Sequence, residues 1–291
     1  MDLKVIAYAR NGHTDKFGIP RQSRDESPIV TRIVFEPEYN VREALRGIEG
    51  YSHLWILWGF SEVAPLTAGA VRPQDKPAVG LSWSPTVRPP RLGGNKRVGV
   101  FATRSPFRPN PIGLSSVRLL GVKENESTRS RDHVTTTARK AIELLVSGAD
   151  MLDGTPIYDI KPYLSFSDSH PDARNGFAEE TKDYRLEVDW SAAEACASSE
   201  TDAESRANNA LITRLSPANN ALFGAELENA KRDLTYILSQ DPRPAYQNNP
   251  EREYKIDYGG WRVTFCVAER TKEDDERTKE GVVVVKKIEK I

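Results

Sequence analysis

The sequence predicts a mainly β, α+β protein, with a compact β-barrel domain followed by a small α+β domain. Short apolar runs of the β type dominate the first half of the chain, and Gly and Pro separate them at short intervals. Many short strands with frequent turn signals favour a barrel or a sandwich over a doubly wound sheet. A long helical pattern follows at residues 211–240 and ends at Asp241-Pro242, because proline cannot continue a helix.

The predicted elements of the first domain follow one another closely. Residues 3–9 and 29–35 are rich in apolar side chains, and residues 52–60 are predicted to form a strand buried on both faces. A short helix is expected at 41–47, where Gly47 would cap its C-terminus. The remaining predicted strands are residues 98–103, 114–122, 141–147 and 156–160.

The second half of the chain is more polar. Residues 123–140 are predicted to form a hairpin insertion or a disordered loop, and the acid-rich residues 187–204 a linker or the start of a solvated helix. A hairpin turning at 258–260 and a Val-rich strand at 281–291 complete the prediction. The predicted domains are therefore a β-barrel at 1–167, a linker region at 168–210 and an α+β domain at 211–291.

The composition is that of a soluble, globular protein. The chain has 291 residues, 38% of them hydrophobic, and a formal net charge of −1. No apolar run approaches the ~18 residues of a membrane span, and the first residues lack a signal-peptide pattern. Two distant cysteines predict no disulfide framework and favour a reducing cytoplasm, and with four scattered histidines they predict no metal site.

The positive charge is concentrated in one segment, residues 86–113. Between Asp75 and Glu124 lie nine Lys or Arg and no acid, and Pro and Gly hold many of these cations on stiff loops. The segment therefore predicts an anionic partner, with a solvated basic loop as the alternative. Its six cations are Arg88, Arg91, Lys96, Arg97, Arg104 and Arg108.

Several familiar catalytic motifs are missing from the sequence. There is no Gly-x-Gly-x-x-Gly fingerprint, no complete P-loop and no Gly-x-Ser-x-Gly elbow. Four short polar motifs remain, at residues 16–22, 51–55, 102–113 and 152–163. Each has an ordinary structural interpretation by itself: Asp153-Gly154 favours a turn, and His53 and Trp55 suit the core.

Together with residues 241–246 and 261–263, these motifs resemble the TrmO family (TsaA-like or YaeB-like proteins) of S-adenosylmethionine-dependent tRNA methyltransferases. The resemblance covers nearly the whole chain. It implies a β-barrel catalytic domain that acts as a homodimer, with S-adenosylmethionine near the subunit interface. It further implies that the enzyme methylates N6 of threonylcarbamoyladenosine at position 37 of tRNA, next to the anticodon. Two longer segments, 68–84 and 123–140, depart from the family pattern.

The resemblance also implies the site residues. Asp153 is the first candidate for the proton acceptor and Asp159 the second, and Arg104 is the third expected catalytic residue. The alternative for Asp153 is that it only caps its own turn. The implied donor-binding residues are Pro20, Arg21, Gln22, Ser61, Glu62, Arg104, Leu114, Asp153, Gly154, Thr155 and Pro156. The tRNA contacts are expected at Arg88, Arg91, Lys96, Arg97, Arg108, Lys161, Arg243 and Tyr246.

Two other functions remain open at this stage. A non-catalytic, RNA-binding or regulatory barrel would use only the basic segment and would not bind S-adenosylmethionine. A methyltransferase of a small molecule would turn over without tRNA, and its substrate binding would be insensitive to salt.

Overall fold

The computed structural model describes residues 2–60, 83–89, 96–125, 141–180, 185–198, 217–243, 249–270 and 280–291. The chain divides into two compact units. The first unit comprises Met1–Asn11, Pro20–Lys182 and Pro244–Tyr246. The second unit comprises Gly12–Ile19, Asp183–Arg243 and Gln247–Ile291.

The first unit is built from strands. In chain order they are β1 (Ala7–Arg10), β2 (Val30–Phe35), β3 (His53–Gly59), β4 (Thr86–Val87), β5 (Val98–Gly99), β6 (Ile112–Asn125), β7 (Ala141–Ser147) and β8 (Pro156–Pro162). Six of these described strands pair in a closed, barrel-like ring, in the order β1-β2-β7-β6-β3-β8, with antiparallel neighbours throughout. We call them the six-stranded ring. β4 and β5 form a separate two-stranded sheet.

The interior of the six-stranded ring is the core of the first unit. On β3 the side chains of Leu54, Ile56 and Trp58 are buried, while those of His53 and Trp55 are only half-buried. Successive strand residues point to opposite faces, so one face of β3 lies inside the ring and the other outside. The prediction that this strand is buried on both faces is therefore wrong, because the ring covers its inner face alone.

Short helical segments connect the strands of the first unit. The helix expected at 41–47 is a 3₁₀ turn at Arg42–Leu45, followed by Gly47 with a φ of 86°. The strand expected at 98–103 is shorter in the structure: β5 ends at Gly99, and a 3₁₀ turn follows at Val100–Ala102. Further turns are Ile48–Gly50, Gly176–Glu180 and the helix α1 (Ser165–Asp168). Residues 126–140, which form most of the predicted insertion, lie outside the described residues.

The second unit combines a sheet with two helices among its described residues. These are β9 (Glu187–Asp189), α2 (Ser191–Ser198), α3 (Pro217–Ser239), β10 (Tyr254–Tyr258), β11 (Trp261–Arg270) and β12 (Glu280–Lys290). The sheet order is β10-β11-β12-β9, with β9 parallel to β12. Gly259 and Gly260 turn the predicted hairpin with φ of 59° and 82°, values that suit a two-residue turn. The long predicted helix is α3.

The prediction of a mainly β chain with some helix is confirmed. The predicted linker region at 168–210, however, contains β9 and α2, which belong to the second unit. Leu186 and Ala193 are buried there, so these elements contribute to a core and do not simply connect two domains. No helix in the described residues has the length and apolar character that crossing a membrane requires.

Candidate functional site

One cluster of polar side chains joins segments that are far apart in the sequence. The Arg104 guanidinium donates a hydrogen bond to Oε1 of Gln22, 82 residues away. Both residues belong to the predicted donor-binding set, and the structure brings them together. Arg104 is exposed, so its guanidinium lies where a dissolved anion can reach it.

Asp150 is the member of this cluster that sequence reasoning missed. It follows β7, three residues before the predicted turn at Asp153. Its carboxylate accepts hydrogen bonds from the Ser115 hydroxyl and from the Ser23 backbone N–H, and the charge of Arg104 acts on it. The Ser115 oxygen in turn accepts a hydrogen bond of 2.8 Å from the buried Trp58 indole Nε1. The cluster thus connects the interior of the six-stranded ring to Arg104.

The environment of Asp150 changes its acidity. Burial raises the pKa of the Asp150 carboxyl, and the Ser115 hydrogen bond, the Ser23 N–H and the Arg104 charge lower that pKa only in part. The residue as a whole is only partly buried. A sequence signal existed for it: an acid three residues after a buried strand and next to the polar motif at 152–163. Periodicity alone did not separate it from a loop residue.

The predicted turn at 153–156 is held against β1. Asp153 Oδ1 accepts the Asn11 backbone N–H at 3.0 Å, and Oδ2 pairs with Arg10 Nη1 at 3.4 Å. Gly154 adopts a φ of 77° and donates its N–H to the Ala9 carbonyl at 2.8 Å, while Thr155 is buried. These contacts favour the structural alternative for Asp153, because its carboxylate is engaged in fixing the turn.

Other predicted residues lie on the outer face of the six-stranded ring. Leu114 on β6 and Asp159 on β8 are the cross-strand neighbours of Leu57 on β3, one on each side. Leu114 is 55% exposed, which leaves an apolar side chain available for contact. Asp159 is paired with Lys161 at 2.7 Å, so these two predicted residues neutralise each other. Pro20 is buried and Arg21 is exposed.

The basic segment has arginines that fix their own loops. Arg97 Nε donates to Thr86 Oγ1 at 2.8 Å and its Nη2 to the Thr86 carbonyl at 3.2 Å, across β4 and β5. Arg108 Nη1 donates to the Thr103 carbonyl at 2.8 Å, and its guanidinium lies 6.0 Å from the centre of the Phe101 phenyl ring. Both contacts stiffen the loops while the cations stay on the surface. Arg88 and Lys96 are exposed.

Arg243 differs from the surface cations. Its Nε and Nη2 atoms form a paired contact with the Asp241 carboxylate at 2.7 and 2.9 Å, and only 14% of its side chain is exposed. This geometry does not support the predicted RNA contact of Arg243, because its guanidinium is buried against the Asp241 carboxylate. The predicted site residues Ser61, Glu62, Arg91 and Tyr246 lie outside the described residues.

A groove of about 440 Å³ runs along the outer face of the ring beside Ser23. Trp55, Tyr163 and His53 line it, with their rings in edge or tilted contact. Asp168 accepts hydrogen bonds from the Leu164 N–H at 3.0 Å and from Trp55 Nε1 at 2.8 Å, and these two bonds lower the pKa of Asp168. The groove therefore presents aromatic faces held in fixed orientations.

The cluster suits a small charged donor such as S-adenosylmethionine. The exposed Arg104 guanidinium can form a charge-assisted pair with a carboxylate, and Asp150 provides a carboxylate close to that guanidinium. Leu114, next to Ser115 on β6, offers an exposed apolar surface on the outer face of the six-stranded ring. Within the residues that the structure describes, no group of three or more His, Cys, Asp or Glu is arranged to hold a metal ion.

Comparisons with known proteins identify the family of the chain. The family model of the tRNA-methyltransferase O N-terminal domain matches residues 8–169, and that of the TrmO C-terminal domain matches residues 216–275. The chain is similar to the tRNA (adenine(37)-N6)-methyltransferase of Escherichia coli, with 36% identity over 272 residues, which cover 90% of this chain and 93% of that protein.

Two further likenesses come from Pseudomonas aeruginosa. A putative S-adenosylmethionine-dependent methyltransferase, RcsF, is 36% identical over 256 residues, covering 87% of each chain. The crystal structure of TrmO superposes with a TM-score of 0.62 at 26% identity and covers 100% of this chain and 97% of the other. Both domain models match in their proper order, and the identities extend over most of the chain. The chain therefore belongs to the tRNA-methyltransferase O (TrmO) family of enzymes.

Proposed function

We propose that this enzyme transfers a methyl group from S-adenosylmethionine to N6 of threonylcarbamoyladenosine at position 37 of tRNA. The observation that carries the proposal is the cluster of Gln22, Arg104, Asp150 and Ser115 in a chain of the TrmO family. It presents an exposed guanidinium, with which the donor carboxylate can form a charge-assisted pair, next to the Asp150 carboxylate. We further propose that the six-stranded ring is the catalytic barrel.

We propose distinct tasks for three residues in donor binding. Arg104 would hold the donor carboxylate, and Gln22 would keep the guanidinium in place through their hydrogen bond. Leu114 would cover an apolar part of the donor. When bound, S-adenosylmethionine supplies an electrophilic methyl group on a positively charged sulfur. Holding donor and acceptor in line and excluding water provides most of the catalysis in such a transfer.

The modified adenosine is supported by the charge around Arg104. Threonylcarbamoyladenosine carries a carboxylate, and anticodon-loop phosphates surround it, so an acid-free segment of cations suits this substrate. Arg88, Lys96 and Arg97 are exposed for such contacts. The groove beside Ser23 would receive a flanking base, because its Trp55 and Tyr163 rings suit stacking on an unstacked nucleotide.

We also propose that the enzyme acts as a homodimer in the cytoplasm. Leu114 is 55% and Leu120 is 49% exposed on the outer face of β6, and such apolar side chains are typical of a surface that another chain covers. Light scattering on the purified protein tests this part. A monomer at working concentration would refute it without affecting the proposed reaction.

The reaction is tested by transfer of labelled methyl groups into tRNA. We would use tRNA from cells that lack this enzyme, with and without the threonylcarbamoyl group, and compare wild type with Arg104→Ala. Arg46→Ala is the matched control, since Arg46 is an exposed arginine in a turn after Leu45. We expect label only in threonylcarbamoylated tRNA, and a loss only in Arg104→Ala.

Other outcomes would point to the alternative functions. A folded wild-type protein that transfers no label to either tRNA, and binds no S-adenosylmethionine, would indicate a non-catalytic RNA-binding protein. Turnover of a small acceptor without tRNA, insensitive to salt, would indicate a small-molecule methyltransferase.

A further inference from the structure

We propose that Asp150 is the carboxylate that accepts the proton of the acceptor nitrogen during methyl transfer. The inference rests on the proposed function and adds a catalytic residue to it. Asp150 contacts Ser115 on β6 and Ser23 in the loop before β2, and it lies within the field of Arg104. It is thus fixed from three segments, two of which carry the predicted donor-binding residues Gln22 and Arg104.

The chemistry of the acceptor requires such a group. N6 of threonylcarbamoyladenosine belongs to a urea-like group, so its lone pair is delocalised and the nitrogen is a weak nucleophile. The N–H proton must leave before or during attack on the methyl carbon. A general base works best when its pKa lies near the working pH. Burial raises the pKa of the Asp150 carboxyl and brings it closer to that range than an exposed aspartate.

The two carboxylates predicted from the sequence are engaged elsewhere. Asp153 binds the Asn11 N–H and pairs with Arg10, which fixes the turn against β1. Asp159 pairs with Lys161 on the outer face of the six-stranded ring. Asp150 differs from both, because its carboxylate lies beside the exposed guanidinium of Arg104 and is held by Ser115 and the Ser23 N–H.

The proposed step balances as follows. The acceptor nitrogen forms a bond to the methyl carbon while the carbon–sulfur bond breaks, and the electron pair of that bond remains on sulfur as a neutral thioether. The N–H bond breaks, its electron pair stays on nitrogen, and its proton moves to a carboxylate oxygen of Asp150. The products are the methylated base and protonated Asp150, which returns the proton to water after release.

A base that is kept desolvated has a consequence for stability. The folded-state pKa of Asp150 is raised, so the folded protein holds this proton more tightly than the unfolded chain. The ionised carboxyl therefore destabilises the fold, and that penalty develops as pH rises from the ordinary aspartate pKa towards the raised one. Asp150→Asn removes the charge and keeps an oxygen that can accept the Ser115 hydrogen bond. The variant should not lose stability at pH 8.

The experiment compares wild type with Asp150→Asn and Asp150→Glu under single turnover, with Asp172→Asn as an exposed control. We expect Asp150→Asn to lower the rate constant of transfer roughly 10²–10⁴-fold. Its dissociation constant for S-adenosylmethionine, measured by calorimetry, should stay close to that of wild type, as should its urea midpoint at pH 8. Asp150→Glu should recover part of the rate with a displaced acid limb in the pH profile.

Each result decides a separate point. Asp150→Asn with a wild-type rate, or with lost donor binding or lost stability in place of a slower step, would overturn the assignment. A large rate loss in Asp159→Asn with none in Asp150→Asn would transfer the role to Asp159. If wild type itself transfers no methyl group to threonylcarbamoylated tRNA, the proposed function fails, and that outcome is distinct from a failure of Asp150.

Discussion

Replacing Gly113 by alanine tests how closely the packing of β3 against β6 is connected to the candidate site. Gly113 lies directly opposite Trp58 in the strand register. A Cβ atom there would lie 2.6 Å from Trp58 Cδ2, and closer still to Cε2 and Cζ2, whereas real Cβ contacts do not fall below 3.0 Å. Trp58 is buried, so its rigid indole has to move.

The size of the effect follows from two contributions. Overpacking a filled core costs about 1–3 kcal/mol, and we take about 2 kcal/mol because several indole atoms meet the new methyl group. Movement of the indole also stretches the 2.8 Å bond from Trp58 to Ser115, which is worth about 1 kcal/mol. We therefore expect Gly113→Ala to destabilise the first unit by about 3 kcal/mol and to slow methyl transfer, because Ser115 orients Asp150.

Urea unfolding followed by tryptophan fluorescence measures the first contribution, and single-turnover transfer measures the second. Gly99→Ala is the matched control: Gly99 also lies in a strand, has a φ of −60°, and a Cβ there meets nothing within 4 Å. The double variant Gly113→Ala/Trp58→Phe should lose less free energy of unfolding than the sum of the losses in the two single variants, because the smaller ring leaves room for the methyl group. Equal stability of Gly113→Ala and Gly99→Ala, or strict additivity with Trp58→Phe, would refute the reasoning.

Three further predictions concern charge. Arg88→Ala should reduce the slope of log affinity for tRNA against log salt by about 0.7–0.9 if Arg88 meets a phosphate, while Arg46→Ala should leave the slope unchanged. Burial lowers the pKa of His13 to about 4, so the second unit should lose roughly 3 kcal/mol as pH falls from 6.5 to 4, and His13→Gln should remove that dependence in urea titrations. Arg243→Ala should destabilise the second unit by about 3–5 kcal/mol in the same assay, since it removes the cation paired with buried Asp241, and a loss below ~1 kcal/mol would contradict the buried pair.

The sequence predicted the positions of the strands and helices better than the burial of their faces. Alternating and β-branched runs identified most strands of the six-stranded ring, and Gly259-Gly260 identified a hairpin whose backbone needs positive φ. The sequence predicts a strand at 52–60 that is buried on both faces, because its outward residues include Trp55 and Leu57, which are as apolar as its inward ones. Composition alone cannot tell a covered outer face from one that lines a groove.

The acid-rich residues 187–204 predict a linker or the start of a solvated helix, and both β9 and the helix α2 lie there. Among the described residues of 168–210, Leu186 and Ala193 are the buried ones, and they are too few to produce a periodic signal. β9 nevertheless pairs in parallel with β12, almost a hundred residues later in the chain. Such a pairing depends on the edge that another segment offers, and a local pattern does not contain that information.

The candidate site likewise depends on contacts that form only when the chain folds. Gln22 and Arg104 lie in separate motifs, and the family resemblance implies both as donor-binding residues; their hydrogen bond exists because the two loops meet. Asp150 belongs to no motif that specifies chemistry, and an isolated aspartate after a strand is most often a turn residue. It acquires a raised pKa only where Ser115, the Ser23 N–H and Arg104 surround it after folding. Because Ser115 also binds Trp58, whose indole lies against Gly113, a change in core packing should reach the carboxylate through two contacts. The stability and the transfer rate of Gly113→Ala should consequently fall together, whereas Asp150→Asn should separate them.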